Sequence, residues 1–110
     1  FGATIGSNQY IAGKIVDQKI GVENSRKHLY DTAARFAKRR SVTAEISMAK
    51  LVTSEANLAS ALAAVQIFGG RGYMRADGLE KGLRDAVGAP IYSGTNEMQR
   101  VRLAAMLGIK

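Results

Sequence analysis

The chain has 110 residues, 46% hydrophobic and 23% charged, a balance that places it among globular proteins and excludes a disordered tail. So short a chain forms at most one domain, spanning 1–110, and buries only about 60–70% of its unfolded surface. Sixteen Lys and Arg give a net charge of +7, and the absence of cysteine excludes a disulfide framework and thiolate chemistry.

In chain order the elements are helical. A first helix is expected from about Ser7, read as its N-cap, to about Arg39. Its inner face follows a 4-3 spacing of Ile11, Ile15, Gln18, Val22, Ser25, Leu29, Thr32 and Phe36. Gly21, unfavourable in mid-helix, implies close approach by a neighbour or a local bend. A second helix starts near Ser41 or Thr43 and stops at Gly69-Gly70. Its stripe of Ala49, Val52, Ala56, Ala59, Ala63 and Gln66 is mostly alanine, which permits close packing. A connection of one to three residues forces the two helices antiparallel. One short helix is expected around Leu79 to Ala86, with the single proline, Pro90, in a loop. A third main helix runs from about Thr95 to Leu107, with Gly108 as its C′ residue. No strand pattern or repeat is visible, so the fold is all-α: an up-down hairpin plus a third helix.

The charge does not demand nucleic acid. The basic residues are spread from Lys14 to Lys110, and the dense cluster Lys38-Arg39-Arg40 suits a helix C-terminus. Zinc-finger spacing, an RNP-type aromatic strand and a homeodomain pattern are all missing, so no nucleic-acid partner is expected. Attraction to phosphate-rich small molecules remains open. The longest uncharged stretch, Ala56 to Gly70, is too short and too polar to span a bilayer. The opening Phe-Gly-Ala-Thr has no basic leader, so no membrane association and a cytoplasmic location are the expectations.

Two segments carry chemistry. Ser93-Gly94-Thr95-Asn96 opens the third helix with a flexible residue beside a hydroxyl cap, leaving first-turn N–H groups directed outward, an arrangement that favours an anion. An ordinary capped helix touching water looks the same. Gly69-Gly70-Arg71-Gly72-Tyr73 lets backbone approach a ligand, or simply forms a tight loop. It follows a helix, not a strand, which excludes a Rossmann site. His28 reads as solvated, with no metal-ligand partner at spacing. Arg84-Asp85 reads as a structural ion pair, Glu97 as a helix-dipole partner, and Met48, Met74, Met98 and Met106 as core filler. No nucleophile–base–orienter set and no metal site are evident.

Taken together, Gln-Ile-Phe-Gly-Gly-Arg-Gly-Tyr from Gln66, then Leu-Arg-Asp-Ala, then Ile-Tyr-Ser-Gly-Thr-Asn-Glu-Met-Gln-Arg resemble the C-terminal part of the acyl-CoA dehydrogenase flavoproteins. The resemblance runs from Phe1-Gly2 through Leu107 and implies the helical bundle of that fold. The Phe-Gly matches the end of the family's Arg-x-x-Phe-Gly motif, so the first bundle helix is missing and the chain looks like an excised or truncated domain with an open apolar groove.

By the same resemblance, Gln9 stands where the family has a glutamine touching FAD, and Gln66, Ile67, Phe68, Gly69 and Gly70 match the segment reaching the FAD of the other subunit. Gly94, Thr95, Asn96 and Glu97 match the helix start that borders the FAD diphosphate, with Tyr92 and Ser93 beside the acyl-CoA thioester. Ser93 occupies the position where most members carry the glutamate that removes the α-proton. A hydroxyl is too weakly basic for that role without a partner. The resemblance leaves three readings: a base on the missing helix, a base-less subunit of a hetero-oligomer, or a related flavoprotein with another substrate. It implies an acyl-CoA dehydrogenase-like oxidoreductase in fatty acid metabolism, a dimer or tetramer, and a flavoprotein electron acceptor. The competing class is a non-catalytic helical oligomerisation module.

Overall fold

The computed structural model describes residues 2–109. Helix α1 spans Gln9–Ala37 and α2 spans Thr43–Phe68. A single turn, α3, covers Gly70–Tyr73; α4 covers Leu79–Gly88 and α5 covers Asn96–Met106. Short 3-10 turns occupy Ile5–Ser7 and Arg75–Asp77, and no strand occurs among the described residues.

Asn8, not Ser7, caps α1: its Oδ1 accepts from the Tyr10 N–H at 2.9 Å, while the Ser7 hydroxyl donates to Thr4 O at 2.7 Å inside the preceding turn. Both residue types suit a cap, and the turn decides between them. The α1–α2 link is residues 38–42, longer than expected because Arg39 turns through a left-handed conformation (φ 55°) before Val42 is buried.

The pair is antiparallel. Arg35 Nη1 lies 3.6 Å from Glu45 Oε1 at the linked end, and Ile11 and Ile67 line one hollow at the open end. Midway, a Cβ on Gly21 would sit 3.4 Å from Ala56 Cβ, so the glycine marks close helix approach as the sequence implied.

Helix α2 is central, packing against α1, α3, α4 and α5. It is long and apolar enough, by length and composition, to cross a membrane, contrary to the estimate from Ala56–Gly70. The apolar run continues N-terminally past Glu55 and Lys50, and both of those side chains bond to Asn96 of α5. Its other end follows expectation: Gly69 (φ 57°) stops it. The end of α5 likewise shows Gly108 (φ 74°), with Ile109 N–H donating to Ala104 O at 2.9 Å.

Two expectations about the core are corrected. In α1 the face toward α2 is Ile11, Lys14, Gln18, Gly21, Ser25 and Thr32, whereas Ile15, Val22 and Leu29 are about half exposed and Phe36 is 68% exposed. The 4-3 stripe had merged two faces. The four methionines are exposed rather than core filler. Among the described residues the buried hydrophobic ones are Val42, Ala49, Ala86 and Ala89, accompanied by the polar Thr32, Ser47, Ser54, Asn96 and Gln99.

Candidate functional site

The sequence-derived site residues fall at two places. The first is the open end of the hairpin. Gln9 begins α1, and Gln66, Ile67 and Phe68 end α2, with Gly69 and Gly70 turning into α3. All are exposed except half-buried Ile67. The glycines of this run have opposite roles. A Cβ on Gly69 or Gly70 would meet nothing within 4 Å, so both present bare backbone outward. A Cβ on Gly72 would lie 2.5 Å from Val65 O and 2.9 Å from Val65 Cα, so that glycine seats α3 against α2.

The second place is the loop between α4 and α5. Ile91 and Tyr92 N–H groups donate to Gly88 O at 2.9 and 3.1 Å, which closes the end of α4. The Asn96 N–H donates to Pro90 O at 2.8 Å and draws the loop shut. Between these anchors Ser93 (φ 56°) and Gly94 (φ 83°) are both left-handed. For serine that conformation carries strain of about 1 kcal/mol, which persists only where the surroundings enforce it. Tyr92, Ser93 and Gly94 are exposed; the groups behind them are not.

The amides at the start of α5 are less available than the sequence suggested. Thr95 Oγ1 accepts from the Met98 N–H at 3.3 Å, a side-chain cap. The Glu97 carboxylate accepts from its own backbone N–H and from the Thr95 hydroxyl, and both contacts hold it below the usual carboxylate range. Asn96 is turned inward, 3% exposed, and its N–H is already taken. Its Oδ1 accepts from Lys50 Nζ at 2.5 Å, and its Nδ2 donates to Ser54 Oγ at 3.0 Å and Glu55 Oε1 at 3.3 Å. Arg100 also bonds Glu55. Asn96 therefore fastens α5 to α2; at this helix start Gly94 and Glu97 are exposed and Thr95 is half-buried.

Residues 54 and 66 lie about 18 Å apart along α2 at 1.5 Å per residue, which separates the two places. Asp85 pairs with Lys81 at 3.6 Å rather than with Arg84, because one helical turn aligns the former pair. His28 is exposed, and no metal-holding group of His, Asp or Glu occurs among the described residues. The sequence reading missed Gln99. It is 5% exposed, and its Nε2 donates to Gly94 O at 3.3 Å and lies 3.5 Å from Ser93 O. It also missed the face of α2 bearing Ser47, Lys50 and Ser54, whose seven-residue serine repeat was the available signal.

The helices and the two exposed edges define an all-α domain built on a long antiparallel hairpin. The family profile described as acyl-CoA dehydrogenase, C-terminal domain, matches residues 1–108. The chain belongs to the acyl-CoA dehydrogenase family and corresponds to that C-terminal domain. An acyl-CoA dehydrogenase of Bacillus subtilis is 41% identical over 107 residues, covering 97% of this chain and 28% of its own length. The crystal structure of the prolyl acyl carrier protein oxidase AnaB has a TM-score of 0.95 at 42% identity, covering 99% of this chain and 29% of that one. PigA, solved with FAD and proline, has a TM-score of 0.94 at 35% identity, covering 99% of this chain and 28% of that one. The chain thus spans only 28% of the length of curated relatives that it matches.

Proposed function

We propose that the intact protein is an FAD-dependent oxidoreductase acting on the α–β bond of a pantetheine thioester, with this domain supplying the rim of the flavin site and the loop beside the thioester. The observation that carries this reading is the 91–94 loop: exposed Tyr92, Ser93 and Gly94, the last two in left-handed conformation, anchored by the Asn96–Pro90 bond and by buried Gln99. Family membership supports the flavin, as do PigA's bound FAD and the exposed neutral donors of this chain. Gln9 and Gln66 offer amides, Gly69 and Gly70 unobstructed backbone, and Gly94 and Thr95 the diphosphate edge. These fit the cofactor as a rim, not as a full cradle. Asn96 contributes through the packing of α5, and Glu97 adds a negative charge beside the diphosphate edge.

Held along this rim by Gln9, Gln66, Gly69, Gly70 and Gly94, FAD would supply the hydride acceptor for the β-carbon. By the family resemblance Ser93 stands where most members carry the glutamate base, and a hydroxyl without a partner is far too weakly basic, so this reading assigns the α-proton to a carboxylate outside this segment. Ser93 then makes room for substrate or for that carboxylate. The relatives include both an acyl-CoA dehydrogenase and a prolyl carrier-protein oxidase. Their substrates share a phosphopantetheine thioester, and that shared chemistry is the proposed substrate class. A base-less partner subunit is the second reading, favoured by the serine at position 93.

Anaerobic mixing of the flavin-loaded intact protein with acyl-CoA and with carrier-bound aminoacyl thioesters tests the assignment. Bleaching of the oxidised flavin by one of these classes is the expected result. Ser93→Ala should lower turnover by well under the 10²–10⁴-fold typical of losing a general base. A loss in that range with FAD retained makes Ser93 itself catalytic. Absence of bleaching by every thioester in the homomer moves the protein to the base-less reading.

A further inference from the structure

We propose that Gln99 is a positioning residue that holds the thioester-facing loop in its working conformation, an inference that rests on the reading above. Consecutive left-handed residues at 93 and 94 reverse the direction of the chain and aim the Ser93 and Gly94 carbonyls back toward α5. There the Gln99 amide meets them, donating to Gly94 O at 3.3 Å and standing 3.5 Å from Ser93 O. The amide group belongs to a residue only 5% exposed, one helical turn below the Thr95 cap, so its rotamer is fixed by packing.

A second observation agrees. A Cβ on Gly94 would come within 2.9 Å of Gln99 Nε2, so the absence of a side chain at 94 is what lets the amide reach the loop. The clamp and the glycine are one device. It fixes the backbone from which the Tyr92 and Ser93 side chains project, while neither carbonyl is left to relax toward water. Gln99 itself is buried behind the loop and acts on ligand only through that backbone.

The test uses the intact flavin-loaded protein with Gln99→Leu, which keeps the volume and removes the donor, and Gln99→Glu. In Gln99→Leu, amide hydrogen exchange of Ile91, Tyr92 and Asn96, whose N–H groups are bonded within the loop, should accelerate about tenfold or more while the α2 amides keep their protection. Turnover with the accepted thioester should fall roughly 10- to 100-fold, chiefly in kcat, as expected for misplacement of reacting groups. In Gln99→Glu an ionised carboxylate would face two carbonyl oxygens, a repulsive arrangement that raises its pKa. Its activity should therefore recover as pH falls from about 8 to about 5.5, because the protonated acid donates to Gly94 O again. Gln99→Leu has no such recovery. Unchanged exchange at Ile91, Tyr92 and Asn96 in Gln99→Leu, or identical pH profiles for the two variants, overturns the proposal. If the unaltered protein oxidises no thioester, the reaction assigned above fails, and the exchange measurement still decides whether Gln99 holds the loop.

Discussion

Glycine at position 72 is required by contact, and glycine at position 82 by nothing in the structure. A Cβ at Gly72 would collide with the Val65 backbone and approach Phe68 Cβ at 3.0 Å, and no rotamer change relieves a clash with a main chain. Gly72→Ala is expected to destabilise by about 3 kcal/mol through forced separation of α3 from α2. Gly82, inside α4 and exposed, has nothing within 4 Å of a built Cβ. Gly82→Ala should stabilise by about 0.5–1 kcal/mol through helix propensity and a stiffer unfolded chain. Urea unfolding of the two variants beside the parent checks both signs. Residues with a local signature were legible in the sequence: Thr95 as a cap, Gly69 and Gly108 as helix stops, Gly21 as a close approach. Asn96 and Gln99 were not, since their partners Lys50, Ser54, Glu55 and Gly94 become neighbours only through tertiary packing, or lie where a loop doubles back.

At the scale of elements, α1 and α2 set different problems for a reader of sequence. The alanine-rich stripe of α2 points at α1, and the structure keeps that assignment through Gly21 and Ala56. In α1 the apolar residues Ile15, Val22, Leu29 and Phe36 repeat every seven and look like a core stripe, yet they flank the contact with α2. The facing row of Gln18, Gly21, Ser25 and Thr32 is small or polar because α2 comes too near for larger side chains. Periodicity identifies a face that will be covered but not the partner that covers it. The same geometry makes a sharp prediction. Gly21→Ala places its methyl at ordinary contact distance from Ala56 and gains helix propensity, so stability should hold or rise by up to about 1 kcal/mol. Gly21→Leu inserts a branched side chain into that contact and should cost about 1–3 kcal/mol. Thermal unfolding in which both variants behave alike would remove the close approach as the reason for glycine here.

The whole molecule exposes more surface than a self-contained domain of its mass. Its accessible area is 8203 Å², where the scaling for monomeric proteins gives about 5,900 Å² for a chain of this size. Its radius of gyration is 17.1 Å, against about 13 Å expected for a compact domain of equal length. Extents of 55 × 26 × 23 Å describe a rod built on the α1–α2 hairpin. Large apolar side chains contribute to it: Ile15, Val22, Leu29 and Phe36 along α1, and Met98 and Val101 on α5, are all substantially exposed. An excess of roughly 2,300 Å² is more than the ~800 Å² per partner of a standard interface, so one contact need not cover it. The 110-residue segment studied alone should therefore self-associate into a dimer or higher oligomer, with closed symmetry as the common solution for a repeated patch. Sedimentation equilibrium should show mass rising with concentration, and Leu29→Glu, which puts a charge in the middle of the α1 row, should shift the distribution toward monomer. That residue is about half exposed and outside the α2 contact, so the substitution leaves the hairpin itself intact. A folded, strictly monomeric segment at high concentration, unaffected by Leu29→Glu, would show that these faces tolerate water and that the excess surface does not drive association.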